Sequence, residues 1–123
     1  MPYKVDMYKV LDTCFKLYLH LTVYENNKVR ELNTVEINYK NTIINKITDK
    51  FGGVTIEQKC GRYKRKEGIV ETDNEIITVY TDKFIEPFQF FEKLIEDIKD
   101  RLSQDSVALV VKEYDNSECM YII

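Results

Sequence analysis

An alternating stretch near the start of the chain constrains its fold more than any other feature. In Thr13–Tyr24, TCFKLYLHLTVY, every second side chain from Phe15 to Val23 is apolar. A period of two residues is typical of a β-strand that is buried on one face only. Because that face must be covered by another element, the stretch predicts a sheet with a second layer packed against it.

Two amphipathic helices are predicted after this strand. The first begins at Asn33, which has the N-x-x-E spacing of a capping box with Glu36, and it ends before Gly52. The second begins near Pro87, a residue that is accepted in the first turn of a helix. A one-sided apolar stripe predicts that this helix packs on the sheet. The stripe consists of Phe88, Phe91, Ile95, Ile98 and Leu102.

Three more strands complete the predicted order, at Val54–Tyr63, Ile69–Tyr80 and Ser106–Tyr114. Strand, helix, strand, strand, helix, strand is the order of a ferredoxin-like α+β fold, with a four-stranded antiparallel sheet and two helices on one face. The C-terminal segment CMYII is predicted either to add a fifth strand or to dock on a partner. We expect one domain over residues 1–123, with residues 1–12 as an arm of unassigned conformation.

Composition and charge exclude several classes of protein. The net charge is −3, so general nucleic-acid binding is not expected, since it needs a basic surplus. The sequence has neither a leader pattern nor an apolar run long enough for a bilayer, and no membrane association is expected. Three cysteines without a C-x-x-C pair favour reduced thiols and a cytoplasmic location. With one histidine and no glycine-rich phosphate cradle, we expect no metal and no cofactor.

The outward side of the first strand carries Tyr18, His20 and Tyr24. Such rings on an uncovered sheet face favour contact with another surface, because exposed aromatic area is costly in water. A second subunit is the favoured occupant and would make a homodimer. A flat small-molecule ligand is the alternative.

A basic segment, RYKRK at residues 62–66, is predicted to form the tip of the hairpin between the second and third strands. Clustered cations on such a tip favour a solvated loop, and they protect a sheet edge from stray pairing. Two other functions stay open, contact with an anion and docking of a protein. On the anion hypothesis, Arg62 joins the three outward rings in one ligand cleft.

Four short elements, taken in order, resemble the DUF3574 family of bacterial domains of unknown function. They are LYLHL at residues 17–21, FGGVT at 51–55, GRY with GIVE between 61 and 71, and QDSV at 104–107. His20 and Tyr63 stand where the family usually has glycine and tryptophan. The resemblance implies a compact α+β domain, and a polar set that is either structural or holds a small ligand. The set consists of Thr55, Arg62, Glu71, Gln104 and Ser106.

The favoured function at this point is a non-enzymatic small domain, a homodimer that binds a small anionic or aromatic ligand. This hypothesis assigns no catalytic residue. One alternative is an inhibitor or accessory factor of phage or mobile-element origin that binds a host protein. The other is an enzyme of the dimeric α/β-barrel type, with His20 as its base.

Overall fold

The computed structural model describes residues 11–65, 68–113 and 117–123, so most of the arm predicted at residues 1–12 and the tip of the basic hairpin lie outside the described residues. In chain order the elements are β1 (Thr13–His20), β2 (Thr22–Glu25), β3 (Lys28–Glu31), α1 (Thr34–Phe51), β4 (Thr55–Arg65), β5 (Gly68–Thr81), α2 (Ile85–Arg101), β6 (Ala108–Lys112) and β7 (Glu118–Ile122).

The main sheet has five strands in the order β4-β5-β1-β6-β7, and every neighbouring pair is antiparallel. β1 therefore lies at the centre, between the strand that precedes α2 and the strand that follows it. This topology confirms the predicted ferredoxin-like α+β fold. The C-terminal segment forms the fifth strand, since β7 pairs along β6 from Glu118 to Ile122.

The core lies between the main sheet and the two helices. Phe15, Leu17 and Leu19 of β1 are buried in one apolar cluster with residues of α1 and α2. The ring of Phe91, on α2, stacks on Phe15 at 5.4 Å and on Phe51 at 5.7 Å between centroids. The predicted direction of the β1 side chains is therefore confirmed, and the outward set faces away from the helices.

The predicted strand Thr13–Tyr24 is wrong in one respect, because it is two strands that belong to different sheets. The change occurs at Leu21, whose N–H donates to Asp73 O and whose carbonyl accepts from Leu32 N. β2 then pairs with β3, a strand that was not predicted. In the turn between β2 and β3, Asn26 and Asn27 both have positive φ, 53° and 61°, as a tight hairpin requires.

The small β2–β3 sheet is fastened to the start of α1 by charged side chains. Arg30 donates to Glu25 Oε2 at 2.6 Å and to Glu36 Oε1 at 2.7 Å. Glu36 also completes the predicted capping box with Asn33, through bonds of 2.8 and 2.9 Å. The hydrogen bond from Arg30 is the main cause that holds the pKa of Glu36 below its usual value, against the opposing effect of burial.

Replacing Glu36 with glutamine should destabilise the fold at neutral pH and not in acid. A carboxyl group whose pKa is lowered by folding contributes stability above its unfolded pKa, about 4.3, and loses that contribution as the pH falls through the folded value. Urea unfolding of Glu36→Gln and the native chain should therefore differ at pH 7 and converge near pH 3. Glu92→Gln, on the exposed side of α2, should show no such pH-dependent difference. A deficit that persisted at pH 3 would contradict this account.

Neither helix among the described residues is long and apolar enough to cross a membrane.

Candidate functional site

A cavity of about 290 Å³ lies at the end of β1 where His20 leaves the central sheet. This volume is near the lower end of the range for small-molecule sites, about 300 to 1,000 Å³. Four parts of the chain surround it: the end of β1, the β2–β3 hairpin, the outer parts of β4 and β5, and the loop at 103–106 after α2. The break at Leu21 creates this space, because it swings the β2–β3 hairpin away from the sheet.

His20 is the link between the sheet and the cavity. Its Nδ1 lies 3.3 Å from Thr72 Oγ1 on β5. Its ring meets the ring of Tyr63 edge to face, with 5.1 Å between centroids. Two sheet strands thus hold the imidazole in place, while its side chain remains only half-buried at the cavity wall.

The loop after α2 closes the opposite side of the cavity. Ser103 adopts the left-handed conformation with φ 51°, which turns the chain sharply at the end of the helix. The Gln104 side chain donates to Leu102 O at 2.9 Å and to Thr22 O at 3.3 Å. Gln104 therefore ties the helix end to β2 and fixes the loop that presents Asp105 and Ser106 to the cavity.

The structure brings four of the eight predicted ligand-binding residues together. His20, Tyr24, Gln104 and Ser106 all line the cavity, although they come from three separate parts of the chain. Ligand binding by these residues stays a prediction. Its geometric requirement, that they surround one space, is met by these four.

The other four predicted residues lie elsewhere. Tyr18 is half-buried in the middle of the open sheet face. Thr55 begins β4, eight residues from Tyr63 and so about 27 Å along the strand. Arg62 and Glu71 pair with each other at 2.6 Å, both exposed, on the face opposite to Tyr63.

Eight of the twelve residues that line the cavity were not predicted, among them Tyr63, Thr72 and Asp105. Tyr63 and Thr72 share the outward face of the β4–β5 ladder. The pairing of β5 with β1 places that face beside His20. Alternation within the predicted strands could have assigned both side chains to the open face. It could not have placed them near His20, because that depends on the strand register.

The chemistry of the cavity is aromatic and acidic. Tyr24 and Tyr63 supply flat apolar faces, and Asp105 supplies a carboxylate. Lys64 also borders the cavity, but it adjoins Tyr63 on β4 and its side chain points to the opposite face. Such a set can hold a ring system that carries a cationic substituent. Over the described ranges, no cluster of three or more potential metal ligands was found.

Cysteine chemistry does not belong to this cavity. All three cysteines are free, and none is among the residues that line it. Cys14 is buried at the other end of β1, and burial raises the pKa of its thiol. A thiol with a raised pKa is a poor nucleophile at neutral pH.

The chain matches no family model and no curated protein. Two solved structures have a similar fold. A phage SAM lyase in complex with S-methyl-5′-thioadenosine superposes with a TM-score of 0.69 and 18% identity, over 100% of this chain and 95% of that chain. A phage SAM lyase in the apo state gives a TM-score of 0.66 and 19% identity, over 91% and 88%.

These neighbours overturn the prediction of a non-enzymatic domain. Both are enzymes, and one holds a small molecule. The enzyme alternative fits this finding better than the favoured hypothesis does. The resemblance to the DUF3574 family stays a prediction, since no family model matches the chain.

Proposed function

We propose that this chain is an enzyme that cleaves S-adenosylmethionine (SAM) and releases S-methyl-5′-thioadenosine. The observation that carries the proposal is the fold match over the whole chain to a phage SAM lyase bound to that compound. The cavity beside His20 supports it, because it is large enough to accept a nucleoside-sized ligand.

The aromatic rings and the carboxylate of the cavity suit two parts of SAM, its adenine and its sulfonium. SAM contains a flat adenine on a ribose, a positively charged sulfonium, and an amino acid part with a free ammonium and a free carboxylate. The rings of Tyr24 and Tyr63 can stack on adenine or face the sulfonium, a contact worth about 0.5 to 2 kcal/mol. Asp105 can attract the sulfonium.

The bond that breaks follows from the difference between SAM and S-methyl-5′-thioadenosine. It joins the sulfonium sulfur to Cγ of the amino acid part, and its electron pair stays on sulfur, which becomes a neutral thioether. Two routes balance the four-carbon fragment without water. Loss of a Cβ proton to a base gives 2-aminobut-3-enoate, and attack by its own carboxylate on Cγ gives homoserine lactone.

His20 is the group that would take the proton on the first route, because a neutral imidazole accepts a proton near pH 7. The second route needs no base. Replacing His20 with asparagine should therefore slow cleavage by about 100-fold or more on the first route, and far less on the second.

The test is to incubate the purified chain with SAM and to identify both products by mass spectrometry. We expect S-methyl-5′-thioadenosine in equal amount to one of the two four-carbon products. S-adenosylhomocysteine, which lacks the sulfonium, should remain intact. If no S-methyl-5′-thioadenosine forms above the level without protein, the proposal is wrong.

We also propose a phage origin and a cytoplasmic location. The phage source of both neighbours supports the first, and three unpaired thiols support the second. A homodimer through the open face stays a prediction. Size-exclusion chromatography with light scattering tests it, and a monomer at high protein concentration would contradict it.

A further inference from the structure

The ring of Tyr63, which lines the cavity, lies directly over the backbone of Gly61. A Cβ atom on Gly61 would lie 2.6 Å from Tyr63 Oη and 2.9 Å from its Cζ. Any other residue at position 61 would therefore push the ring away. The position of this ring depends on the absence of a side chain two residues earlier in the same strand.

A buried amide holds the far end of the same ring. Asn74, on β5, is 3% exposed, and its Nδ2 donates to Tyr63 Oη at 3.1 Å. Its Oδ1 is buried without a hydrogen-bond partner among the described residues. Leaving such an oxygen unpaired is costly, so an apolar side chain at this position would cost less. This cost indicates that the amide has a role beyond stability.

We propose that Gly61 and Asn74 are positioning residues that aim the Tyr63 hydroxyl as a hydrogen-bond donor into the cavity. The N–H of Asn74 uses a lone pair of the hydroxyl oxygen, so the hydroxyl proton stays available for an acceptor atom on a ligand. Gly61 keeps the ring flat on β4 and edge-on to His20. This inference rests on the proposed function, and the acceptor belongs to the adenosine part that SAM and S-methyl-5′-thioadenosine share.

Asn74 has two proposed roles: it holds the Tyr63 ring in place, and it leaves the hydroxyl proton available to the ligand. Two substitutions separate these roles. In Asn74→Asp the carboxylate can only accept, so the Tyr63 hydroxyl turns and donates to it, and the ring keeps its place. In Asn74→Ala the ring loses its anchor. Thr78→Val is the matched control, because Thr78 lies on the same face of β5 and also has a buried hydroxyl for which the described part of the chain offers no partner.

The position of the ring has a spectroscopic signature that does not depend on activity. A Gly61 Hα beneath an aromatic face should resonate upfield. Its chemical shift, measured by NMR, therefore shows whether the Tyr63 ring lies over Gly61. We expect the shift in the native chain, in Asn74→Asp and in Thr78→Val, and its loss in Asn74→Ala. If the native chain lacked this upfield shift, the proposed position of the Tyr63 ring would be wrong.

Titration calorimetry with S-methyl-5′-thioadenosine measures how much the hydrogen bond donated by Tyr63 contributes to binding. The dissociation constant should rise about tenfold in Asn74→Asp, as for one lost hydrogen bond, and should stay unchanged in Thr78→Val. Gly61→Ala should weaken binding at least as much. Native affinity in Asn74→Asp with the upfield shift retained would refute the donor role.

The two proposals fail in different ways. If the native chain neither cleaves SAM nor binds S-methyl-5′-thioadenosine, the proposed function is wrong, and so is the donation to adenosine. In that case the Gly61 Hα chemical shift still tests the position of the Tyr63 ring. If the native chain binds and cleaves SAM while Asn74→Asp does so equally well, only the inference about Asn74 is wrong.

Discussion

Replacing Phe91 with alanine should lower the free energy of unfolding by about 3 to 5 kcal/mol. The side chain is fully buried, and its ring stacks on Phe15 of β1 and on Phe51 at the end of α1. Its removal leaves a cavity where the sheet and both helices meet. Rigid secondary structure on three sides limits how far this cavity can collapse, which favours a cost in the upper part of the range.

Urea unfolding followed by circular dichroism measures this loss. Ile85→Ala is the matched control, since it removes an apolar side chain from the same helix at a position that is 70% exposed. The control should stay within about 0.5 kcal/mol of the native chain. Equal effects of the two substitutions would show that Phe91 does not join the three elements.

Most of the fold could be predicted because its signals are local. The alternation around Leu17 and the capping box at Asn33 each specify one element from a few neighbouring residues. The break at Leu21 has no such signal. The alternation continues through it, with Val23 still buried, and the hydrogen bonds that divide the strand come from Asp73 and Leu32, which are distant in sequence.

The candidate site was harder to predict because it is assembled from distant segments. His20 could be assigned to the open face from β1 alone. Arg62 was included for its charge. Side chains of adjacent strand residues point to opposite faces of a sheet, so Arg62 and Tyr63 cannot lie on the same face. Asp105 lies in a loop whose position depends on how α2 ends and on the bond from Gln104 to β2.

Replacing Asp105 with lysine should raise the KM for SAM about 30-fold. The carboxylate lies at the exposed side of the cavity, where attraction between unit charges about 4 Å apart is worth about 1 kcal/mol. Reversal of the charge removes this attraction and adds a similar repulsion, about 2 kcal/mol in all. Steady-state cleavage assays at low ionic strength measure the change, which salt should reduce.

The sulfonium charge itself can be isolated by comparing two ligands. S-adenosylhomocysteine has the same adenosine and amino acid as SAM, but its sulfur is neutral. Its inhibition constant should therefore change little in Asp105→Lys, while the KM for SAM rises. Asp100→Lys, an equal charge change on an exposed residue of α2 outside the cavity, controls for the overall field. If both ligands weakened equally in Asp105→Lys, the carboxylate would not distinguish the sulfonium from a thioether, and the charge argument for SAM as the substrate would fail.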